Sequence, residues 1–459
     1  MIPRICSVAV ASIAALALLA GADPDAAGCP DEPPDATATA PAPHRCEEST
    51  TRKVLLAVPR ALLYVARAPV RAATWAEEHN VRDRIQDVFW NRTRTVGLYP
   101  IVTWDGAAVF TYGGAFIDRD LAGLSTRVRV VGGGIDRLHA AALLNSGKLL
   151  GRFGVEIGAR YRQMSRALFF GYGDAPEVEA PTTTPVDPFA SGIAVAARYG
   201  YKDTNLRAGA RLRFTPRASI YVGGSMRWTH FSDGRDLFGE PTASSVYDLS
   251  AVPGWSTGLL AARTELGLDM DYRRPHDERR SLAIPSTGWA MRDYVGFQRG
   301  VGRSDPSRFA YFGLDAIQYL DLYGGDHILS LHGTVNGALA PLARIPFTDL
   351  PSLGGWAVMR GYPLGRFRDK WAAVASLEYT FAFSRDVASF VFVDAGRVGR
   401  RPGDLLDLTP RLSYGFGLQI HEPRAVLGRG WIASTSEGGV LVVLSWEPAF
   451  PAPSREVVP

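Results

Sequence analysis

The residue that offers the most chemistry is Arg360, set in LPSLGGWAVMRGYPLGR at residues 350–366. Gly and Pro on both sides mark a turn-rich connection, a setting in which an arginine ordinarily points to water. The other reading is a connection folded back against something that needs one fixed cation. A planar, permanently charged guanidinium suits that task. Downstream, strand-like alternation turns two carboxylates the same way. In 371–384, Leu377, Tyr379, Phe381 and Phe383 form an apolar face, which leaves Glu378 on the other with Ser376 and Thr380. In 387–397, Val391, Val393 and Ala395 are apolar, which leaves Phe392, Asp394 and Gly396 opposite. Taken alone, these residues read either as a surface cation with two unrelated interior acids or as one ion cluster.

Other chemistry finds little support. Gly223-Gly224-Ser225-Met226-Arg227 fails the last position of a nucleophile elbow. The eight His are scattered without metal-ligand spacing. The expectation is therefore no catalytic residue, no metal, no cofactor and no enzymatic activity. A formal net charge of +4 is small for a nucleic-acid binder, so none is expected. One charged row stands out: Arg152, Arg160, Arg162, Arg207, Arg211, Arg213 and Arg227 all fall on polar strand faces. Either they line an anion-preferring bore or they pair with acids inside it.

The elements that must position these residues are strands. In 152–162, Phe153, Val155, Ile157, Ala159 and Tyr161 oppose Arg152, Gly154, Glu156, Gly158, Arg160 and Arg162. The same alternation recurs in 205–214, 220–229 and 326–336 and continues for some 350 residues without core-forming helices. Closing such strands on themselves removes the unpaired edges. A lipid-facing apolar surface then explains the missing second layer. The fold class is all-β, a transmembrane antiparallel β-barrel over residues 96–447. About seventeen strand-like runs can be marked, the first two of them readable as one, and an even count of sixteen follows. Long polar connections near Gly171–Ser191, Ser232–Pro253, Arg273–Pro285 and Ala340–Lys370 are assigned to the outer end. Short turns such as Asp203-Thr204 are assigned to the other.

Residues 1–22 read as a signal peptide, with Arg4 before the apolar run 5–20 and Ala20-Gly21-Ala22 as the cleavage site. Cys29, in Ala26-Ala27-Gly28-Cys29, also fits a lipidation box, or it pairs with Cys46 as a disulfide. Residues 23–50 have the composition of a disordered linker. Residues 51–95 show amphipathic helical spacing, with Val81, Ile85, Val88 and Phe89 on one face. That segment lies either on a membrane surface or, as favoured here, under or inside the barrel. Residues 448–459 form a Pro-containing tail.

From about residue 97 to 446, most strongly after Phe347, the sequence resembles the BamA/TamA outer-membrane barrel superfamily, the bacterial surface antigen family. Three motifs carry the resemblance: Val358-Met359-Arg360-Gly361-Tyr362 after Leu353-Gly354-Gly355, Ser376-Leu377-Glu378-Tyr379, and Phe392-Val393-Asp394-Ala395-Gly396. The resemblance implies that Arg360 dips into the bore and pairs with Glu378 and Asp394, locked by Gly361, Tyr362, Phe392 and Gly396. It also implies a bacterial outer-membrane location. The roughly 75 residues before the first strand show no convincing strand pair, so no POTRA module is expected. The expected function is protein assembly, insertion or export across the outer membrane. The expected setting is a monomeric barrel in lipid, with a periplasmic protein partner or client. The alternative is a solute channel, anion-preferring, that keeps the loop as a structural latch.

Overall fold

The computed structural model describes residues 78–79, 84 and 87–446, with breaks at 94, 106–108, 122–123, 134–136, 147–150, 179–184, 190–193, 236–238, 277–284, 302–306, 385, 407–408 and 423–424. The expected leader, linker, Cys29, Cys46, Val81, Ile85 and tail lie outside these residues.

Sixteen strands close into one antiparallel barrel. Its first half is β1 (Val96–Asp105), β2 (Val109–Leu121), β3 (Leu124–Gly132), β4 (Arg137–Asn145), β5 (Phe153–Phe169), β6 (Ala197–Thr215), β7 (Ala218–Asp233) and β8 (Leu259–Asp271). The second half is β9 (Gly288–Gly300), β10 (Arg308–Tyr323), β11 (His327–Leu339), β14 (Trp371–Ala382), β15 (Val387–Gly399), β16 (Arg411–Glu422), β17 (Ala425–Thr435) and β18 (Val440–Trp446). Two short strands, β12 (Ser352–Leu353) and β13 (Phe367–Arg368), pair with each other inside the β11–β14 connection. Among the described residues no helix is long and apolar enough to cross a membrane.

Alternation decides which way each strand faces. Phe153, Val155 and Ile157 are exposed while Glu156 is buried. Likewise Leu377 and Val393 are exposed, and Ser376 and Asp394 are buried. These exposed outward side chains are apolar, the face that a membrane barrel turns to lipid. Two sequence assignments of connections change. Asp203-Thr204 is no turn but lies in mid β6, because Asp203 is an inward ladder residue and fully buried. The 272–287 connection follows β8 and so opens at the end opposite the 170–196, 234–258 and 340–370 connections. The first two sequence runs are separate strands that pair along the whole of β1.

Packing inside the barrel differs from place to place. At the long-loop end, Phe347 meets Phe169 at 5.2 Å, Tyr199 at 5.2 Å and Phe231 at 5.0 Å between ring centres. Tyr247, Ile345 and Leu350 are buried in the same cluster, so connections from three places cap that end with an apolar core. Near the start of the barrel, Phe89 and Trp90 pack on the inward residues Tyr99, Ile101, Ala115, Ile117 and Val131. Arg119 stacks on the Trp90 ring at 4.5 Å. Val88 is exposed, so Phe89 and not Val88 makes this contact.

Candidate functional site

The site begins with glycines. On β16, Gly415 and Gly417 present bare backbone beside Phe392 and Phe390 of β15, with which they are in register. A Cβ on either would stand 2.8 Å from the Phe392 ring or 2.4 Å from the Phe390 ring. The two rings therefore lie flat over the neighbouring strand, an aromatic covering for glycine. Their upper faces receive two cations: Arg360 at 3.6 Å from the Phe392 centroid and Arg429 at 4.0 Å from that of Phe390. Cation–π attraction of this kind is strongest where water is excluded.

Carboxylates complete the cluster. Arg360 donates Nε and its backbone N–H to Asp394 Oδ2 at 3.1 and 2.9 Å, and Nη2 to Oδ1 at 2.8 Å. Its Nη1 donates to Glu378, which also accepts from Arg429 Nη2 at 2.6 Å. Ser413 Oγ donates to Asp394 Oδ2 at 3.1 Å. Asp394 is fully buried and the Arg360 side chain is 7% exposed. Burial works against the Arg360 charge, but the Asp394 hydrogen bonds and the Glu378 charge outweigh it and hold the pKa above its ordinary value.

The loop backbone is shaped to reach this place. Met359 has φ 52°, left-handed for a side-chain-bearing residue, at a cost of about 1–2 kcal/mol. Its side chain is fully buried, with Sδ 2.8 Å from where a Gly396 Cβ would be. Gly396 thus leaves the space that Met359 and Leu353 fill. Gly361 lies flush on β16 and β17, where its Cβ would stand 2.7 Å from the Ser434 carbonyl oxygen and 3.0 Å from Ser413 Cβ. Tyr362 is buried, edge-on to Phe367, with its hydroxyl 3.3 Å from Ser436 Oγ. The Gly361→Val variant is expected to lift the loop by about 1–3 kcal/mol. Trypsin should then cut within 360–368 faster while the folded barrel keeps its gel mobility in unheated detergent.

The structure brings together Arg360, Gly361, Tyr362, Glu378, Phe392, Asp394 and Gly396, whereas the seven arginines form no single group. Arg160 and Arg162 face Asp203 at 3.4 and 4.0 Å. Arg227 bridges Asp203 at 2.5 Å and Asp349. Arg211 meets Asp269 at 2.8 Å. Arg207 lies over Gly158, and Arg213 lies near Gly154. Arg152 sits exposed in the turn before β5. Asp349 was not singled out from the sequence, nor were Arg429, Ser413 and Trp431, whose Nε1 donates to the Arg360 carbonyl at 3.5 Å. Strand parity on β17, with Ile432 exposed and Trp431 buried, is the signal that could have found Arg429. No group of metal-ligating side chains occurs among the described residues.

Comparison with known proteins gives the family. No curated protein matches the chain. The structure of BamA from Haemophilus ducreyi lacking POTRA domains 1–3 is similar at a TM-score of 0.51 and 14% identity, covering 76% of this chain and 69% of that one. CdiB from Acinetobacter baumannii (TM-score 0.44, 12% identity) and CdiB from Escherichia coli (TM-score 0.47, 11% identity) align over 76% of this chain. They are covered over 59% and 62% of their own lengths, less than two thirds. The Omp85 superfamily domain matches residues 156–428, more than half of the sequence and the stretch that contains Arg360, Glu378, Phe392, Asp394 and Ser413, while Arg429 and Trp431 lie just beyond it. With that match on a sixteen-strand barrel, the chain belongs to the Omp85 superfamily and is an outer-membrane β-barrel protein.

Proposed function

We propose that this barrel assembles, inserts or exports proteins at the outer membrane. In this reading it works without enzymatic chemistry, as a single barrel in lipid that meets a periplasmic protein partner or client. The 340–370 connection is held against the inside of the wall by Arg360. The observation that carries the reading is the buried ion cluster of Arg360, Asp394 and Glu378, which fixes this connection against the inner wall even though burying its charges is costly. The seam between first and last strands adds support. Among the described residues β18 pairs with β1 only over Val102–Asp105, whereas β2 pairs with β1 along Val96–Asp105. Fewer ladder bonds make this joint the easiest place for the wall to part toward lipid. The pairing of Arg160, Arg162, Arg211 and Arg227 with acids speaks against an anion-selective bore.

The test uses Trp104, exposed at the seam opposite Leu444, replaced by a photoreactive aromatic. Crosslinks to unfolded outer-membrane or exported polypeptides are expected in cells. A disulfide between Thr103→Cys and Ser445→Cys, paired across the seam, should abolish them until reductant is added. Crosslinks to phospholipid alone, together with steady solute conductance, would replace the export reading with the channel.

A further inference from the structure

The connection that carries Arg360 makes a second charged contact, of opposite sign and on a different part of the wall. Asp349 lies eleven residues before Arg360, and its side chain is 1% exposed. It accepts from Arg227 of β7, from Arg263 of β8 at 2.6 Å and from Gln298 Nε2 of β9 at 2.8 Å. Arg227 passes the charge on to Asp203, so Asp349 joins a chain of alternating charges. Burial opposes ionisation of Asp349, yet the two guanidiniums outweigh it and hold its carboxyl below the usual carboxylate range. On either side of Asp349, Phe347 and Leu350 belong to the apolar core that caps the barrel mouth.

We propose that Asp349 is a second anchor of this connection, independent of Arg360, and that it holds the aromatic cap over the mouth. The two anchors grip walls separated by β10 and β11. Residues 350–359 then form a strap between an acid held by arginines and an arginine held by acids. Such a strap is released in two steps: one frees the cap and the other frees the Arg360 loop. The inference rests on the proposed role of the Arg360 loop only for its use in function. The geometry of the Asp349 contact stands apart from it.

The experiment reads each end by cysteine labelling in the full chain, with Cys6, Cys29 and Cys46 replaced by serine. Thr348→Cys reports the cap, since Thr348 Oγ1 is buried. Val358→Cys reports the other end, where Val358 packs beside Met359. Only protein with the unheated mobility of a closed barrel is scored. Adding Asp349→Asn should speed labelling of the cap reporter roughly ten- to a hundredfold and leave the loop reporter unchanged. Asp349→Glu, which keeps the charge, should stay near the parent rate. Arg360→Ala should show the converse. Unchanged labelling of the cap reporter in Asp349→Asn overturns the proposal, as does equal acceleration of both reporters, which would mean one anchor and not two. An unchanged loop reporter in Arg360→Ala would instead sink the Arg360 reading and leave this inference standing.

Discussion

Arg360→Ala is expected to release the 350–366 loop from the wall and leave the barrel closed. Removing one partner of a buried ion pair costs about 3–5 kcal/mol, because the charge left behind has neither water nor a counterion. Asp394 is fully buried and would keep neutral hydroxyl donors such as Ser413 but no guanidinium. Glu378 is better protected, since Arg429 still donates to both of its oxygens at 2.6 Å. The loss should therefore follow Asp394: Arg360→Ala with Asp394→Ala should cost less than Arg360→Ala alone. Arg360→Lys keeps the charge but loses the fork that reaches both acids and the flat face that lies on Phe392, so it should fall between. Proteolysis of the loop in lipid is the measurement, and a rise of roughly a hundredfold in cleavage rate is expected for the alanine variant. A rate equal to the parent in Arg360→Ala would mean that packing of Met359 and Tyr362 alone holds the loop.

The fold was legible because barrel strands write their period into the chain. Val391 and Val393 are apolar beside the inward Asp394, and the exposures follow that order. The same parity turned Glu378 and Asp394 to one side without reference to any partner. Their meeting with Arg360 was a different matter. Alternation within a strand carries no information about where a loop goes, and only the motif resemblance connected the three. Arg429 and Asp349 were missed for related reasons. Arg429 lies in a strand whose inward face is mixed, and Asp349 lies in a connection, where side-chain direction has no period. Asp203 shows the opposite error. Asp-Thr reads as turn chemistry, but here the acid sits mid-strand, where three arginines make its burial tolerable. Gly415, Gly417 and Gly396 have steric purposes set by Phe392, Phe390 and Met359, which strand alternation does not reveal.

Asp203→Ala is expected to weaken the β5–β7 wall more than any other single change on that side. Asp203 is fully buried and accepts from Thr229 at 2.8 Å, with Arg227 at 2.5 Å and Arg160 at 3.4 Å. Without it, Arg160, Arg162 and Arg227 face one another with no carboxylate between them. An uncompensated buried charge costs about 3–5 kcal/mol. Arg160 and Arg162 keep some access to water, at 23% and 19% exposed, and the screening lowers the figure to about 2–4 kcal/mol. Arg227 retains Asp349, so the loss should appear in the wall before it appears in the cap. Asp203→Asn, which keeps an acceptor for Thr229, should lose less. Adding Arg162→Met to Asp203→Ala should recover part of the loss, because it removes one of the repelling cations. Urea midpoints of the folded barrel in lipid order the three variants. If Arg162→Met lowers the midpoint of Asp203→Ala further, the arginine is held by packing and not by the acid, and the charge argument for this wall fails.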